Sequence, residues 1–145
     1  MIAIDTNILI YAHREDFPQH PAAKAAINAL HMSQKDWAIP VVCLHEFLSQ
    51  VTGFRAPYTP TPVAAAFMQV RGWMASSTMT LLHPTDQHVD VLEKVVTQGQ
   101  ARGGQIHDAR IAAICLEHGV RELWTADRDF ARFAQLLPTR NPLET

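Results

Sequence analysis

Residues 1–8 read MIAIDTNI, and the interruption inside that stretch decides how the rest of the chain is read. The apolar run Ile2-Ala3-Ile4 stops at Asp5-Thr6-Asn7, and a second apolar run, Ile8-Leu9-Ile10, begins at once. Such a pattern predicts a short buried strand that feeds a helix. An unpaired carboxylate inside a core costs on the order of several kcal/mol, so Asp5 needs a partner or a place at an edge. Asp5 and Asn7 both suit the cap of a helix starting near Ile8, because both accept bonds from free backbone N–H groups. Capping accounts for one polar residue or two. Whether it accounts for Asp5 depends on the other acids of the chain.

Outward from that stretch, apolar segments alternate with helical ones. Trp37 to Ile39, Met79 to Leu82 and Glu122 to Trp124 read as further strands. Helices are expected from Asn7 to about His13, over HPAAKAAINALHM (20–32), from Pro40 to Gly53, from Pro62 to Ser77, from Pro84 to about Gln98, and over 105–119. In the third of these, Val41, Leu44, Leu48 and Val51 recur at helical spacing with Phe47 beside them, while Glu46 and Gln50 lie off that stripe. FRAPYTPTP (54–62) is a loop, GQARGG (99–104) a flexible turn, and Thr125 to Phe133 turn and helix. Short apolar strands alternating with helices imply an α/β fold, a three-layer α/β/α sandwich around a central parallel sheet of four to five strands.

Composition bounds the function. A chain of 145 residues, 48% hydrophobic and 18% charged, suits one domain with a substantial core over 1–145. No apolar stretch approaches the roughly 20 residues of a membrane span, and no basic segment precedes the first apolar run as in a signal peptide. Cys43 and Cys115 lie in apolar stretches without zinc-type spacing, as buried free thiols in a reducing cytoplasm would. A net charge of −2 leaves no broad polycationic surface, so a nucleic-acid partner would need a local basic patch.

In a parallel α/β sheet, ligands gather at the carboxyl ends of the strands. Asp5 follows the first strand and Asp127 the fourth; Asp108 stands near the start of one helix and Glu46 midway along another. The fold therefore permits one cluster of Asp5, Glu46, Asp108 and Asp127. Carboxylates within ~4–6 Å repel and raise one another's pKa, unless they share protons or a cation. Mg²⁺ and Mn²⁺ favour such oxygen donors, lower the pKa of bound water and brace a phosphate for in-line attack.

At this point AIDTNILIYA (3–12), LHEFL (44–48), HDARIAAICLEHGVRELWTADRDFARF (107–133) and NPL (141–143) together resemble a PIN-domain ribonuclease of the VapC toxin type. The resemblance runs through almost the whole chain, with Phe54 to about Thr80 least distinctive. It implies a PIN-like fold and a Mg²⁺- or Mn²⁺-dependent endoribonuclease, the toxin of a toxin–antitoxin pair. It also implies RNA as substrate, a small VapB-type antitoxin as partner, and a homodimer. Carried over position by position, the metal-binding and catalytic acids are Asp5, Glu46, Asp108 and Asp127, with Asp129 a further contributor. Asp127 is preferred because Asp129 suits the cap of the FARF turn (130–133).

Each role has a structural alternative. Asp5 is a metal ligand or a cap, Asp108 a ligand or a helix N-terminal charge, Asp127 a ligand directly or through water or a surface turn residue, and Glu46 a residue that holds a metal-bound water or orients the attacking one, or an exposed helix acid. Thr6, Asn7 and Thr125 either hold the carboxylates by hydrogen bonds or serve local turns. Arg110, Arg128 and Arg132 are RNA-phosphate contacts or solvated surface charges. His107 lies beside Asp108, but neighbouring helical positions point about 100° apart, and His45 beside Glu46 is placed no better. Trp37, Trp73 and Trp124 read as core, and the apolar helices between Pro21 and Ser76 as internal packing or a partner groove. Two other functions compete: a metal-dependent phosphohydrolase acting on nucleotides through His107, Asp108 and Asp5, and a non-catalytic binding module. There is no GxxxxGK phosphate loop.

Overall fold

The computed structural model describes residues 1–144. The run that precedes Asp5 forms β1 (Ile2–Ile4), and α1 (Thr6–His13) follows without a loop. Then come α2 (His20–Met32), β2 (Trp37–Pro40), α3 (Val41–Thr52), α4 (Val63–Met74), β3 (Met79–Leu82), α5 (His88–Gly99), α6 (Gln105–Glu117) and β4 (Glu122–Trp124). A 3₁₀ helix (Arg128–Phe133) and β5 (Thr139–Arg140) complete the described elements. The expected three-layer sandwich is what forms: a five-stranded, all-parallel sheet in the order β3-β2-β1-β4-β5, flanked by helices.

The chain steps from β1 to β2 to β3 in one direction, then returns across the sheet to put β4 on the other side of β1. Right-handed crossovers therefore place α1–α4 and α5–α6 on opposite faces. The contacts agree: α1 packs on α2 and α3, and α3 on α4, whereas α5 packs on α6 and the 3₁₀ helix. The strand order reverses between β1 and β4. A crevice opens beyond strand ends at such a point, and Asp5 stands there.

Some expectations need correction. Helix α1 starts at Thr6 rather than Asn7, because the Asp5 carboxylate accepts the Thr6 N–H at 2.7 Å. Pro40 ends β2 instead of opening α3. The buried face of α3 is Val42, Cys43, Leu44, Phe47 and Val51, with Val41 and Leu48 only half-buried, so the face centres on Phe47. The helix expected from Pro84 begins at His88, because the Thr85 N–H and hydroxyl both donate to Glu117 Oε1 and hold the preceding residues in a turn. Helix α4 stops at Met74, short of Ser77. The fifth strand had no counterpart in the strand pattern. Two residues carry no periodicity, and β5 exists through pairing with β4: Leu123 N–H donates to Pro138 O and Thr125 N–H to Arg140 O, each at 2.9 Å. All three tryptophans are core residues.

Gly99, the last residue of α5, lets that helix approach the 3₁₀ helix. A Cβ there would lie 2.5 Å from the buried Phe133 ring. Gly99→Ala should therefore destabilise the fold by about 1–3 kcal/mol through overpacking. The drop in urea midpoint at unchanged m-value measures it, and a midpoint equal to wild type would show that Phe133 can move aside.

Candidate metal centre

Asp5 emerges from β1 at the switch point, 4% exposed, and the adjoining Thr6 and Thr125 are equally buried. Its Oδ1 accepts the Thr6 N–H and the Cys43 thiol at 3.7 Å; its Oδ2 accepts the Thr125 hydroxyl at 2.7 Å and Asn7 Nδ2 at 3.3 Å. Thr125, just beyond β4, also accepts Asn7 Nδ2 and the Asp127 N–H, so its hydroxyl is fully used. Asn7 Oδ1 takes the Ala126 N–H at 3.1 Å. Asp5 thus caps α1 with one oxygen, and its other oxygen is held by Thr125 and Asn7, so the cap occupies only part of the carboxylate.

Around Asp5 a cleft of about 240 Å³ opens, and Glu46, Asp108 and Asp127 line it with Thr6, Asn7 and Gln50. Helix α3 supplies Glu46, whose Oε2 accepts the Thr6 hydroxyl at 2.7 Å and whose Oε1 faces Arg110 Nη2 at 3.4 Å. Asp108 comes from the first turn of α6, and Asp127 caps the 3₁₀ helix by accepting the Asp129 N–H at 2.9 Å. The cap expected of Asp129 therefore belongs to Asp127. Asp129 instead reaches back to the cluster: one carboxylate oxygen from each of Asp108, Asp127 and Asp129 lies within 4.8 Å of the others.

The remaining candidates divide. Arg110 is spent on Glu46, Arg132 donates to the carbonyls of Gly99 and Gln100, and Arg128 is exposed and in no ion pair among the described residues. His107 and His45 are exposed and are not among the described residues that line the cleft. Cys43 and Gln50 are additions. They stand three residues before and four after Glu46, so helical spacing alone could have placed them on its face.

Burial and mutual repulsion raise the acids together. Burial lifts the Asp5 carboxyl to about 6, against the pull of the Thr125 and Thr6 hydrogen bonds, and the Glu46 and Asp108 charges add to the rise. Asp108 is raised as well, first by burial, then by Asp127, Asp129 and Glu46, while Arg132 opposes the shift. An all-oxygen donor set with mutual repulsion suits a hard divalent cation.

A family model of the PIN domain matches residues 2–136. The chain belongs to the PIN-domain family. Its relatives there include ribonuclease VapC31 of Mycobacterium tuberculosis, 33% identical over 143 residues that span 99% of this chain and 100% of that one. Among solved structures, this PIN domain is similar to VapBC2 from Rickettsia felis bound to a promoter DNA fragment, with a TM-score of 0.69 and 17% identity over 97% of this chain and 98% of that one. It is also similar to a toxin–antitoxin complex from Klebsiella pneumoniae, with a TM-score of 0.62 and 21% identity over 98% of each chain.

The Asp5 shift makes a prediction about stability. Below pH 3.8 Asp5 is protonated folded or unfolded, and between 3.8 and about 6 only the native state keeps the proton. Rising pH therefore removes native stability across that window, by roughly 3 kcal/mol for a gap of about two pH units. Urea unfolding with EDTA, wild type minus Asp5→Asn, should reveal this loss between about pH 4 and 7. A pH-independent difference would contradict a buried, ionising Asp5.

Proposed function

We propose that this PIN-like domain of 1–145 is a Mg²⁺- or Mn²⁺-dependent endoribonuclease, the toxin of a VapBC-type toxin–antitoxin module. The observation that carries the reading is the convergence of carboxylates from the end of β1, from α3 and α6 and from the cap of the 3₁₀ helix on one cleft at the switch point. Asp108, Asp127 and Asp129 have the oxygen spacing to share an ion, and Asp5 and Glu46 complete the acidic wall. A bound Mg²⁺ or Mn²⁺ supplies Lewis acidity toward a phosphodiester and acidifies water.

The chain's own residues do the rest. Thr125 and Asn7 fix the Asp5 carboxylate, so its ionised form is oriented before substrate arrives. Thr6 and Arg110 hold Glu46 at the cleft wall, where it can orient water and take up its proton as the water attacks phosphorus in line. The P–O bond opposite the incoming water breaks, the departing ribose oxygen takes a proton from solvent, and no enzyme-bound covalent intermediate is required.

The likeness to a ribonuclease of the VapC type supports the ribonuclease reading, and the likeness to VapBC2 and to a toxin–antitoxin complex supports a VapB-type antitoxin as partner. A homodimer is proposed with it; the outward residues Phe67, Met68 and Met74 of α4 leave apolar surface for protein contacts. No helix among the described residues is long and apolar enough to cross a membrane, and both cysteines are free and buried, which suits the cytoplasm.

Cleavage of a labelled RNA pool in Mn²⁺ tests the proposal. EDTA should abolish it, and Asp108→Asn should reduce it by roughly 100-fold or more, as loss of a direct ligand exceeds the 10–100-fold typical of supporting residues. Undiminished cleavage in either case would end the metal-dependent reading. Thr125→Val should cost about 10–100-fold while the protein remains folded by circular dichroism. Full activity in that variant would reduce Thr125 to a turn residue.

A further inference from the structure

A cavity of about 390 Å³ opens between α1, α2 and α4 at the amino ends of β2 and β3, the edge of the sheet opposite to the acids. It shares no lining residue with the acidic cleft, and no Asp or Glu lines it among the described residues. Buried Ala12, Ile27, Trp37 and Trp73 give it an apolar floor. Along α2, Lys24, Asn28 and His31 recur at i, i+4 and i+7, so one helix face presents all three. Gln69 enters from α4, and its Oε1 is engaged by His13 Nδ1 at 3.2 Å, which leaves the amide Nε2 as a donor. A Cβ on Gly72, the next cavity residue of that helix, would meet only Gln69 Nε2, at 4.0 Å.

The polar groups of this wall are donors in search of an acceptor. Lys24 makes no ion pair among the described residues, and the amides of Asn28 and Gln69 donate to no protein acceptor there. His31 is fixed by buried Ser76, whose Oγ lies 2.9 Å from His31 Nδ1 and accepts the Trp37 Nε1–H at 3.3 Å. Thr78 Oγ1, 3.3 Å from the same oxygen, can fill its second lone pair. The Ser76 hydroxyl then donates to His31 Nδ1, and Nε2 carries the imidazole hydrogen as one more donor. A charge, two amides and an imidazole N–H around an apolar floor complement an anion on a flat apolar body.

We propose that this cavity binds a small aromatic carboxylate, its ring on the Ile27–Trp37–Trp73 floor and its carboxylate held by Lys24, Asn28, Gln69 and His31. Lys24 supplies the one permanent charge among the described lining residues, which matches a monoanion rather than a phosphate dianion. The volume lies near the lower end of the roughly 300–1,000 Å³ of small-molecule sites and suits a body of one or two rings. The site goes beyond the nuclease reading and stands apart from it, since its ligand neither touches the acids nor enters the reaction.

The test titrates the full chain with 1-naphthoate at neutral pH, by calorimetry and by NMR, with uncharged 1-naphthamide and ring-free acetate as comparisons. Naphthoate should bind with a Kd of about 0.1 mM, as expected for a ligand of its size, and acetate far more weakly. Binding should shift the indole N–H signals of Trp37 and Trp73 and leave His31 with its hydrogen on Nε2. Lys24→Gln should weaken binding about fivefold, the loss of one exposed charge-assisted hydrogen bond. Gly72→Leu should fill the cavity and abolish binding without lowering Tm, because leucine favours the helix over glycine. Lys94→Gln, an exposed change on α5 across the sheet, should leave the Kd unchanged. Equal affinity for naphthamide, or a wild-type Kd in Lys24→Gln, would overturn the carboxylate assignment. No binding of naphthoate by wild type, or full binding in Gly72→Leu, would overturn the site and spare the ribonuclease reading.

Discussion

The seam between β1 and β4 carries this structure, and one hydrogen-bonded triangle closes it. Thr125 donates to Asp5, Asn7 donates to both, and Asn7 Oδ1 accepts the Ala126 N–H. The strands themselves pair only from Ile2 to Ile4. Beyond them the backbone bond from Asp5 N–H to Trp124 O adds one rung, and the Asn7 side chain, acting as a peptide carbonyl would, adds another. The ladder thus extends past the point where α1 has turned away. Because the strand order reverses here, these side chains hold open the crevice in which the acids meet.

A cap alone does not explain the choice of aspartate at position 5. Capping contributes about 1 kcal/mol, and serine, threonine or asparagine would provide it without a charge. Burial disfavours the ionised form strongly enough to lift the carboxyl to about 6 despite its donors. A residue that costs native stability at neutral pH, in a position where uncharged caps would serve, is a site where charge has another use. The donors around Asp5 limit that cost. They also fix the carboxylate, as the metal-binding role proposed for Asp5 requires.

Strand and helix positions were largely legible because the elements are short, apolar and separated by proline or glycine. The acid positions followed, since carboxyl ends of strands and starts of returning helices share one edge. Tertiary contact decided the rest. Asp127 and Asp129 have the same capping chemistry, and only the path of the turn makes Asp127 the cap and swings Asp129 toward Asp108. Arg110 and Arg132 looked available because a sequence displays donors without their acceptors; Glu46 and the end of α5 supply those acceptors. β5 was illegible for a similar reason, since its identity resides in β4.

Packing far from the cleft reaches its charges through α5. Gly99 allows the end of that helix to lie against Phe133, and Gln100 turns the chain with φ 51. The carbonyls of Gly99 and Gln100 then point at Arg132, one residue before Phe133. A helix C-terminus carries partial negative charge, so it steadies a guanidinium there. Held in that position, Arg132 opposes the upward shift of Asp108. A side chain larger than hydrogen at position 99 would disturb Phe133 first and the Arg132 anchor with it.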